Sequence, residues 1–358
     1  MSLELQIWDA ACPRDRKAWT DLWERWPEKE IFGHPDYVRL YAGPHGRALC
    51  ATASADGSYV LYPFLLRPLG DEPYCDDAVR DCADIATPYG YGGPFRWGAT
   101  WHPDSIRAFW LEFDAWAAKS RVVSEVVRLS LFPGTLLDYA GDRRVLWDNV
   151  VCAVKDEDEL WRDFEYKVRK NVNKARASGV TVRIDERGER LDDFLAIYAG
   201  TMNRRNAKAT YYFPREYFER IHADLRGQFT YFHAFVGGAV VSTELVLVSA
   251  NRIYSFLGGT DAAWFHVRPN DLLKVEIMNW ARSAGKTQFV LGGGYARGDG
   301  IYRFKLSFAP TGSVPFSIGS RVLNDNAYEQ MIQARRAFES MQGNQWQPNP
   351  EYFPAYRG

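Results

Sequence analysis

The sequence is poor in the residues that build metal centres and redox sites. Its five cysteines are odd in number and form no Cys-x-x-Cys pair, which indicates reduced thiols in a cytosolic protein. Its six histidines are scattered, with no His-x-x-x-His spacing, so we expect no metal site. Neither a Gly-x-Ser-x-Gly elbow nor a Walker-type glycine loop is present. These absences argue against an α/β-hydrolase nucleophile and against a P-loop nucleotide site.

Long hydrophobic runs are also missing. No apolar stretch reaches the roughly 18 residues of a membrane span. The N-terminal residues Met1 to Glu4 lack the charged and apolar regions of a signal peptide, so a cytoplasmic location is expected. The formal net charge of −1 gives no global attraction to nucleic acid, although it leaves room for a local basic surface.

The second half of the chain contains a readable order of elements, and 46% hydrophobic residues provide for two cores. Apolar alternation predicts strands at 180–184, 228–236, 239–248, 252–257, 288–291 and 313–318. Helical spacing and capping residues predict helices at 191–205, 214–225 and 270–283, and a short one around Phe304. Asn270 or Asp271 is placed to cap the third helix. The predicted order is β-α-α-β-β-β-α-β-α-β.

The first half repeats this order more faintly. Strands are predicted at 3–8, 47–52, 59–68, 84–87, 122–131 and 145–154, and helices at 15–26, 35–42, 102–119 and, briefly, 132–139. Two copies of one unit in 358 residues fit the usual size of a domain. We therefore predict a mixed α/β (α+β) protein with a first lobe at 1–154 and a second at 155–358. The second lobe would include a C-terminal helix and tail.

A three-glycine turn, Gly292 to Gly294, follows an apolar strand and precedes a short aromatic helix. Consecutive glycines let the backbone adopt positive φ and approach another group closely. The helix carries one lysine, Lys305, spaced to share a face with Ile301 and Phe308. Such a lysine either snorkels at the rim of a core or is buried against an anion or carbonyl, where its charge can act on a substrate.

A basic segment at 167–176 predicts an amphipathic helix. Val168, Val172 and Ala175 are spaced to share its apolar face, which leaves the cationic residues on the open faces. These cationic residues include Lys167, Arg169, Lys170 and Lys174. They can bind phosphate groups, or they can form an ordinary solvated helix surface.

Arginines and tyrosines cluster between the two helices predicted at 191–225. The cluster contains Arg204, Arg205, Tyr211 and Tyr212. Arginines bind phosphate or carboxylate with two donors, and tyrosines combine apolar contact with a hydrogen-bonding tip, although ordinary packing is the alternative. Glu244 lies within an apolar strand, where its carboxylate is either a base for an acceptor amine or the structural partner of an arginine.

The duplicated order is that of the GNAT acyltransferase fold. Five stretches resemble the FemABX-like branch, whose tandem-GNAT proteins join amino acids to a peptide using aminoacyl-tRNA. They are 84–94 with its Pro-Tyr-Gly-Tyr-Gly-Gly-Pro run, 167–180, 198–205, 254–260 and 292–305. Together the resemblance spans most of the chain.

The resemblance implies roles for individual residues. Phe304 and Lys305 would be the catalytic residues: Phe304 would form a pocket wall, and the Lys305 ammonium would stabilise the oxyanion of acyl transfer. Substrate-binding residues would be Tyr89, Tyr91, Arg204, Arg205, Tyr211, Tyr212, Tyr254, Gly293 and Tyr302. Lys167, Arg169, Lys170 and Lys174 would contact the nucleic acid.

Two departures from related proteins narrow the prediction. An acetyl-CoA enzyme of this fold holds a pyrophosphate on a glycine-rich loop at a helix N-terminus. At that place residues 266–271 contain no glycine and add the charge of Asp271, which argues against CoA in the second lobe. The chain also lacks a charged heptad stretch of the kind that forms the long coiled-coil arm of some Fem proteins.

Three functions remain open. The first is an aminoacyltransferase that forms an amide bond between an amino acid from aminoacyl-tRNA and an amine of a peptide or cell-wall precursor. The second is an N-acyltransferase that uses acyl-CoA or a carrier-protein thioester on an amino sugar or small amine. The third is a noncatalytic tandem-GNAT binding module. None of these requires a bound cofactor beyond the donor substrate.

Overall fold

The computed structural model describes residues 4–358. The chain forms two compact units. The first unit holds residues 4–26, Phe32–Leu146 and Phe316–Gly358. The second holds Pro27–Ile31 and Trp147–Pro315.

The elements are numbered along the chain. The strands are β1 Gln6–Asp9, β2 Arg47–Ala55, β3 Ser58–Pro68, β4 Ala83–Ala86, β5 Phe95–Gly98, β6 Val122–Arg128, β7 Asp142–Ala153, β8 Thr181–Asp185, β9 Phe229–Val236, β10 Ala239–Val248, β11 Arg252–Thr260, β12 Gln288–Gly292 and β13 Ser313–Val322. The helices are α1 Pro13–Glu24, α2 Pro35–Arg39, α3 Pro103–Lys119, α4 Glu157–Asp163, α5 Tyr166–Ala177, α6 Leu191–Arg204, α7 Arg215–Asp224, α8 Pro269–Ser283, α9 Gly300–Leu306 and α10 Asp325–Met341.

The first unit is built on a sheet with the strand order β1-β2-β3-β4-β6-β13, with β5 paired to β3. β4 and β6 are parallel and the other pairs are antiparallel. Helix α3 buries Phe109 and Phe113, and the Phe113 ring meets the rings of Tyr62 and Phe64 on β3. These aromatic contacts form much of this unit's core.

The second unit has the strand order β7-β12-β11-β10-β9-β8. Its β11 and β12 are parallel, and β7, β8, β9 and β10 pair antiparallel with their neighbours. Val168 and Val172 of α5 are buried in one core cluster with Leu273 and Ile277 of α8. The apolar face predicted for the basic helix is therefore confirmed.

β11 and β12 stay paired for only a short distance. The pairing joins 252–254 to 288–290, whereas β11 continues to Thr260 with β10 as its partner. From Ser255 onward, the edge of β11 that faces away from β10 is open in the described strand pairs. This opening positions the site described below.

The order predicted for the second half is confirmed element by element. Four features of the chain differ from prediction. The stretch 132–139 holds only a single 3-10 turn, Pro133–Thr135, while β5 and α4 were not predicted. Helix α8 begins at Pro269, after Arg268 in the left-handed conformation (φ 58°), rather than after a cap at Asn270 or Asp271. Proline suits the first position of a helix because its missing N–H would have no helical partner there. The strand predicted at 3–8 is β1, and its predicted start at Leu3 lies outside the described residues.

The division of the chain corrects the predicted boundaries of 1–154 and 155–358. The C-terminal helix and tail belong to the first unit, not the second. There Met331 and Ile332 of α10 pack in one cluster with Leu69 and Val123. The strand before this helix, β13, pairs with β6 through residues 318–322. Burial of the apolar face of α10 against this sheet, which local sequence patterns do not reveal, explains the difference.

Candidate active site

The second unit contains a cavity of about 630 Å³. Its walls are the end of α6, the open part of β11 at 255–260, the start of α8 and one side of α9. Two glycines of β11 allow this close arrangement. A Cβ atom on Gly259 would collide with the Thr201 hydroxyl of α6, and one on Gly258 would lie 2.6 Å from the Thr243 carbonyl oxygen. Gly258 and Gly259 thus let the helix and the neighbouring strand approach the wall of the cavity.

Asp299 fixes the short helix that carries Lys305. Its Oδ1 accepts the Tyr302 N–H at 2.8 Å and caps α9, while its Oδ2 accepts the N–H groups of Tyr295 and Ala296 at 2.7 and 3.1 Å. These backbone hydrogen bonds outweigh the effect of burial and lower the Asp299 pKa. One carboxylate therefore joins the loop after the glycines to the start of α9.

Lys305 lies in the wall of the cavity beside Phe304. Its Nζ donates a hydrogen bond to the Gly293 carbonyl oxygen at 2.7 Å. Burial lowers the Lys305 pKa to about 7, and the positive charge of Lys274 contributes to the shift, while Glu244 and Asp299 oppose it. Within residues 4–358 this carbonyl is the hydrogen-bond acceptor found for the ammonium, so its other N–H groups can serve a bound group. Phe304 packs edge-on against Phe308 with ring centroids 5.2 Å apart.

A buried ion pair lies in the same cavity. Lys274 Nζ is 2.5 Å from Glu244 Oε1, also contacts Oε2, and donates to the Ser255 hydroxyl oxygen at 2.9 Å. The Glu244 and Lys274 side chains are only 5% and 6% exposed. The sequence predicts an arginine or an acceptor amine as the partner of Glu244, and the structure shows Lys274 in that place. Glu244 is the single charge of β10, and Lys274 has apolar neighbours on both sides in α8, so a charge inside an apolar segment is the signal that could have paired them.

The start of α8 has no glycine cradle. Asp271 lies in its first turn, is 6% exposed, and accepts a hydrogen bond from the Asn171 amide at 2.9 Å. Burial raises the Asp271 pKa, while the Asn171 hydrogen bond and the charges of Arg268 and Lys167 oppose this rise. A buried carboxyl group of the protein thus stands where the related acetyl-CoA enzymes hold a pyrophosphate.

The cavity brings together four of the predicted residues. Arg204, Arg205, Phe304 and Lys305 line it, and Gly293 contacts Lys305 through its carbonyl group. Arg204 lies over the Phe265 ring at 4.9 Å from the ring centre, and Phe265 is also part of the wall.

Other predicted substrate-binding residues are engaged elsewhere. The buried Tyr254 hydroxyl donates to Glu30 Oε2 at 2.7 Å, and Tyr302 exchanges a hydrogen bond with Ser313 at 2.8 Å. Tyr212 donates to the Asn203 side chain at 2.9 Å, and the Tyr211 carbonyl accepts the Tyr198 hydroxyl at 2.7 Å. None of these four predicted tyrosines is part of the cavity wall as described within residues 147–315.

Tyr89 and Tyr91 belong to the first unit. Arg128 lies over the Tyr89 ring at 5.2 Å, and the Tyr37 hydroxyl donates to the Tyr89 carbonyl oxygen at 2.7 Å. The Tyr91 ring packs edge-on against Phe316. These contacts account for the two tyrosines as parts of this unit's own packing.

The cationic residues of the basic helix α5 are of two kinds. Arg169 is partly buried and donates through Nη1 to the carbonyl groups of Trp161, Arg162 and Phe164 at the end of α4. These contacts occupy Nη1 at the end of α4, and the predicted contact of Arg169 with nucleic acid stays a prediction. Three lysines remain exposed at a spacing of three and four residues, which places them on one face: Lys167, Lys170 and Lys174.

Two further findings concern the chemistry of the chain. Among the described side chains, no group of three His, Cys, Asp or Glu residues is arranged to hold a metal ion. None of the helices in residues 4–358 combines the length and hydrophobicity that crossing a membrane requires.

Residues 162–306 match the acetyltransferase (GNAT) domain family. No protein of curated function matches the chain. Among solved structures, FemX has a TM-score of 0.68 and 14% identity, over 88% of this chain and 98% of FemX. The C-terminal domain of a putative lysylphosphatidylglycerol synthetase from Agrobacterium fabrum has a TM-score of 0.53 and 15% identity, over 90% of this chain and 96% of the other.

The L-PGS structure from Bacillus licheniformis has a TM-score of 0.53 and 12% identity, over 95% of this chain and all of the other. At these identities the likeness concerns the fold, while the domain match over 162–306 concerns the sequence of the second unit. The predicted resemblance and fold class are confirmed: the chain has the fold of FemX over most of its length, and residues 162–306 match the acetyltransferase (GNAT) domain family.

Proposed function

We propose that this acyltransferase forms an amide bond by moving an amino acid from aminoacyl-tRNA to an amine of a peptide or cell-wall precursor. The observation that carries the proposal is the Lys305 ammonium, held by the Gly293 carbonyl in the cavity wall. The FemX fold over most of the chain supports the same class of reaction.

The chemistry starts with a neutral acceptor amine. Its nitrogen attacks the ester carbonyl carbon, a C–N bond forms, and the carbonyl electron pair moves onto oxygen. The Lys305 ammonium can donate a hydrogen bond to this oxyanion, and a hydrogen bond between two charged groups is stronger than one between neutral groups. When the intermediate collapses, the ester C–O bond breaks, the tRNA hydroxyl leaves with a proton, and the amide remains.

The ionisation of Lys305 is suited to this cycle. A pKa of about 7 means that the charged and neutral forms are both populated near neutral pH. The charged form stabilises the intermediate, and it can also supply the proton that the leaving oxygen needs. Lys305 then recovers a proton from the acceptor nitrogen, so the charge balance is restored after each turnover.

The surroundings of the cavity favour a donor other than CoA. The buried Asp271 carboxyl stands in the first turn of α8, where a pyrophosphate would be held. Asn171 of α5 donates a hydrogen bond to Asp271 at 2.9 Å, so α5 packs beside this part of the cavity. The exposed lysine face of α5, with Arg204 and Arg205, supports a polyanionic donor such as the acceptor end of a tRNA.

The second candidate is an N-acyltransferase that uses acyl-CoA or a carrier-protein thioester on an amino sugar or small amine. The match of 162–306 to the acetyltransferase (GNAT) domain family is the observation that favours it. The chemistry at Lys305 would be the same, with a thiolate leaving in place of the ribose oxygen. A noncatalytic binding role has no comparable support, because the lysine lies in an open cavity.

Donor competition tests the proposal. Total tRNA charged with radiolabelled amino acids is compared with labelled acetyl-CoA, using a peptidoglycan pentapeptide with a free side-chain amine and glucosamine as acceptors. Label in a base-stable amide from the charged tRNA alone is the expected result. Transfer from acetyl-CoA alone would replace the first candidate with the second, and transfer from neither donor would contradict both.

A further inference from the structure

The Ser255 hydroxyl stands at the point where β11 leaves β12. The parallel pairing ends at Tyr254, and Ser255 is the first residue of the open stretch that lines the cavity. It is paired with Val246 on β10, next to an irregularity in the register that bends the strand locally. Its side chain is therefore set at the inner end of the opening.

The hydrogen-bond pattern fixes the direction of this hydroxyl group. An ammonium has three donors, and Lys274 directs them to both Glu244 oxygens and to the Ser255 oxygen, at 2.9 Å from the last. Since the Ser255 oxygen is an acceptor here, its own O–H must donate elsewhere. Among the described residues no acceptor for that proton is found, and the side chain is part of the cavity wall.

The contacts of Lys274 hold its Nζ in position beside Ser255. Its side chain is 6% exposed, it is held by both oxygens of Glu244, and its Nζ lies over the Phe289 ring at 5.6 Å from the ring centre. A buried ion pair is seldom needed for stability, because apolar residues of similar size often replace one without loss. The Glu244–Lys274 pair lines the cavity that contains Lys305, so it can orient another group of that cavity.

We propose that Ser255 is a catalytic residue, whose O–H donates a second hydrogen bond to the carbonyl oxygen undergoing acyl transfer, and that Glu244 and Lys274 are positioning residues that aim it. This role rests on the proposed acyl transfer. The oxygen gains the carbonyl electron pair when the amine attacks, accepts hydrogen bonds from Lys305 and Ser255, and returns the pair when the leaving group departs. No proton leaves Ser255.

A cycle of variants tests this role in the donor assay above, with whichever donor the wild type uses. Ser255→Ala is expected to lower kcat by about 100-fold, the order of magnitude for one oxyanion donor, with KM changed little. Ser255→Thr keeps the hydroxyl and should recover most of the activity. Ser283→Ala removes a serine at the exposed end of α8 and serves as the matched control, with unchanged activity expected.

The ion pair is tested as a unit. Glu244→Leu with Lys274→Met removes both charges without leaving one buried alone, so this double variant should fold. It should lower kcat, and adding Ser255→Ala to it should cause little further loss, because the hydroxyl has already lost its orientation. Independent, multiplicative effects would overturn the positioning role.

The outcomes separate this role from the proposed function. An active wild type with an unaffected Ser255→Ala variant would overturn the role of Ser255 and leave the acyl transfer intact. A wild type that transfers no acyl group from any donor would overturn both. If Ser255→Ala failed to fold, near-normal activity of Ser255→Val, which also lacks the hydroxyl, would overturn the role, and a loss of kcat in that variant would support it.

Discussion

Lys305 donates a hydrogen bond across the glycine turn to the carbonyl oxygen of Gly293, 2.7 Å away. This contact holds an ammonium group in the wall of a cavity without neutralising it, because a carbonyl carries no net charge. The Asp299 carboxylate supports the arrangement from outside by joining the glycine loop to the start of α9.

The pH dependence of transfer should reveal the charge state of Lys305. With a pKa of about 7, the ammonium is lost as the pH rises above 7, so the oxyanion loses its positive partner. The Lys305→Arg variant should be slower overall, because a planar guanidinium does not replace a compact ammonium. The arginine side chain, however, stays charged over this pH range. The ratio of wild-type to Lys305→Arg rates should therefore fall above about pH 7. This ratio cancels the ionisation of the acceptor amine, and a ratio that rises with pH would instead indicate that neutral Lys305 acts as a base.

Stability should show the same ionisation independently of activity. The folded-state pKa of Lys305 lies below the usual 10.5, so the unfolded chain binds more protons between about pH 7 and 10.5. The loss in free energy of unfolding caused by the buried ammonium is therefore largest below pH 7, and it disappears as the pH rises towards 10.5. Lys305→Met should gain in Tm over the wild type at pH 6, and this advantage should shrink by pH 9.5. Lys119→Met, at an exposed lysine, is the control and should show no such trend.

CoA should not stabilise the second unit. Asp271 and the absence of glycine at 266–271 leave no cradle for a pyrophosphate at the start of α8. Thermal shift with increasing CoA should therefore leave the wild-type Tm nearly unchanged. A large, saturable shift that is abolished by changing Arg268 and Asn270 would contradict this expectation.

The exposed lysine face of α5 should govern the use of a tRNA donor. Reversing Lys167, Lys170 and Lys174 to glutamate removes three cations from one face and should weaken the apparent affinity for charged tRNA steeply at moderate salt. The dependence of affinity on salt should also become shallower. Reversal of three exposed cations of the first unit, Arg14, Lys17 and Lys119, changes the net charge equally and serves as the control. Equal effects of both reversals on the use of charged tRNA would show that the lysine face of α5 has no specific role in binding the donor.

Much of the fold and part of the site could be predicted from the sequence. Strand and helix order depend on local periodicity, and Lys305 was recognisable because it is the one lysine on a short aromatic helix after three glycines. The Glu244–Lys274 pair could not be predicted in the same way, because its members lie 30 residues apart on a strand and a helix that meet only in the folded unit.

Two features of the structure could not be predicted for a similar reason. The sequence pattern does not indicate α4, so it does not reveal the carbonyl groups that Arg169 contacts. Helix α10 follows the second unit along the chain, and only its burial with Leu69 and Val123 reveals that it belongs to the first. Both features depend on contacts with another element, which the local pattern of either segment does not reveal.

The central claim is that the Lys305 ammonium stabilises the transition state of acyl transfer. Its direct test is the single-turnover rate of transfer from saturating charged tRNA by the wild type and by Lys305→Met, which retains most of the stem and its packing beside Phe304. We expect Lys305→Met to fold and to bind the acceptor nearly as well as the wild type does. Its rate of transfer should be lower by about 100-fold or more. A Lys305→Met protein that transfers at a near-normal rate would contradict it, and Lys305 would then be a structural residue at the edge of the core.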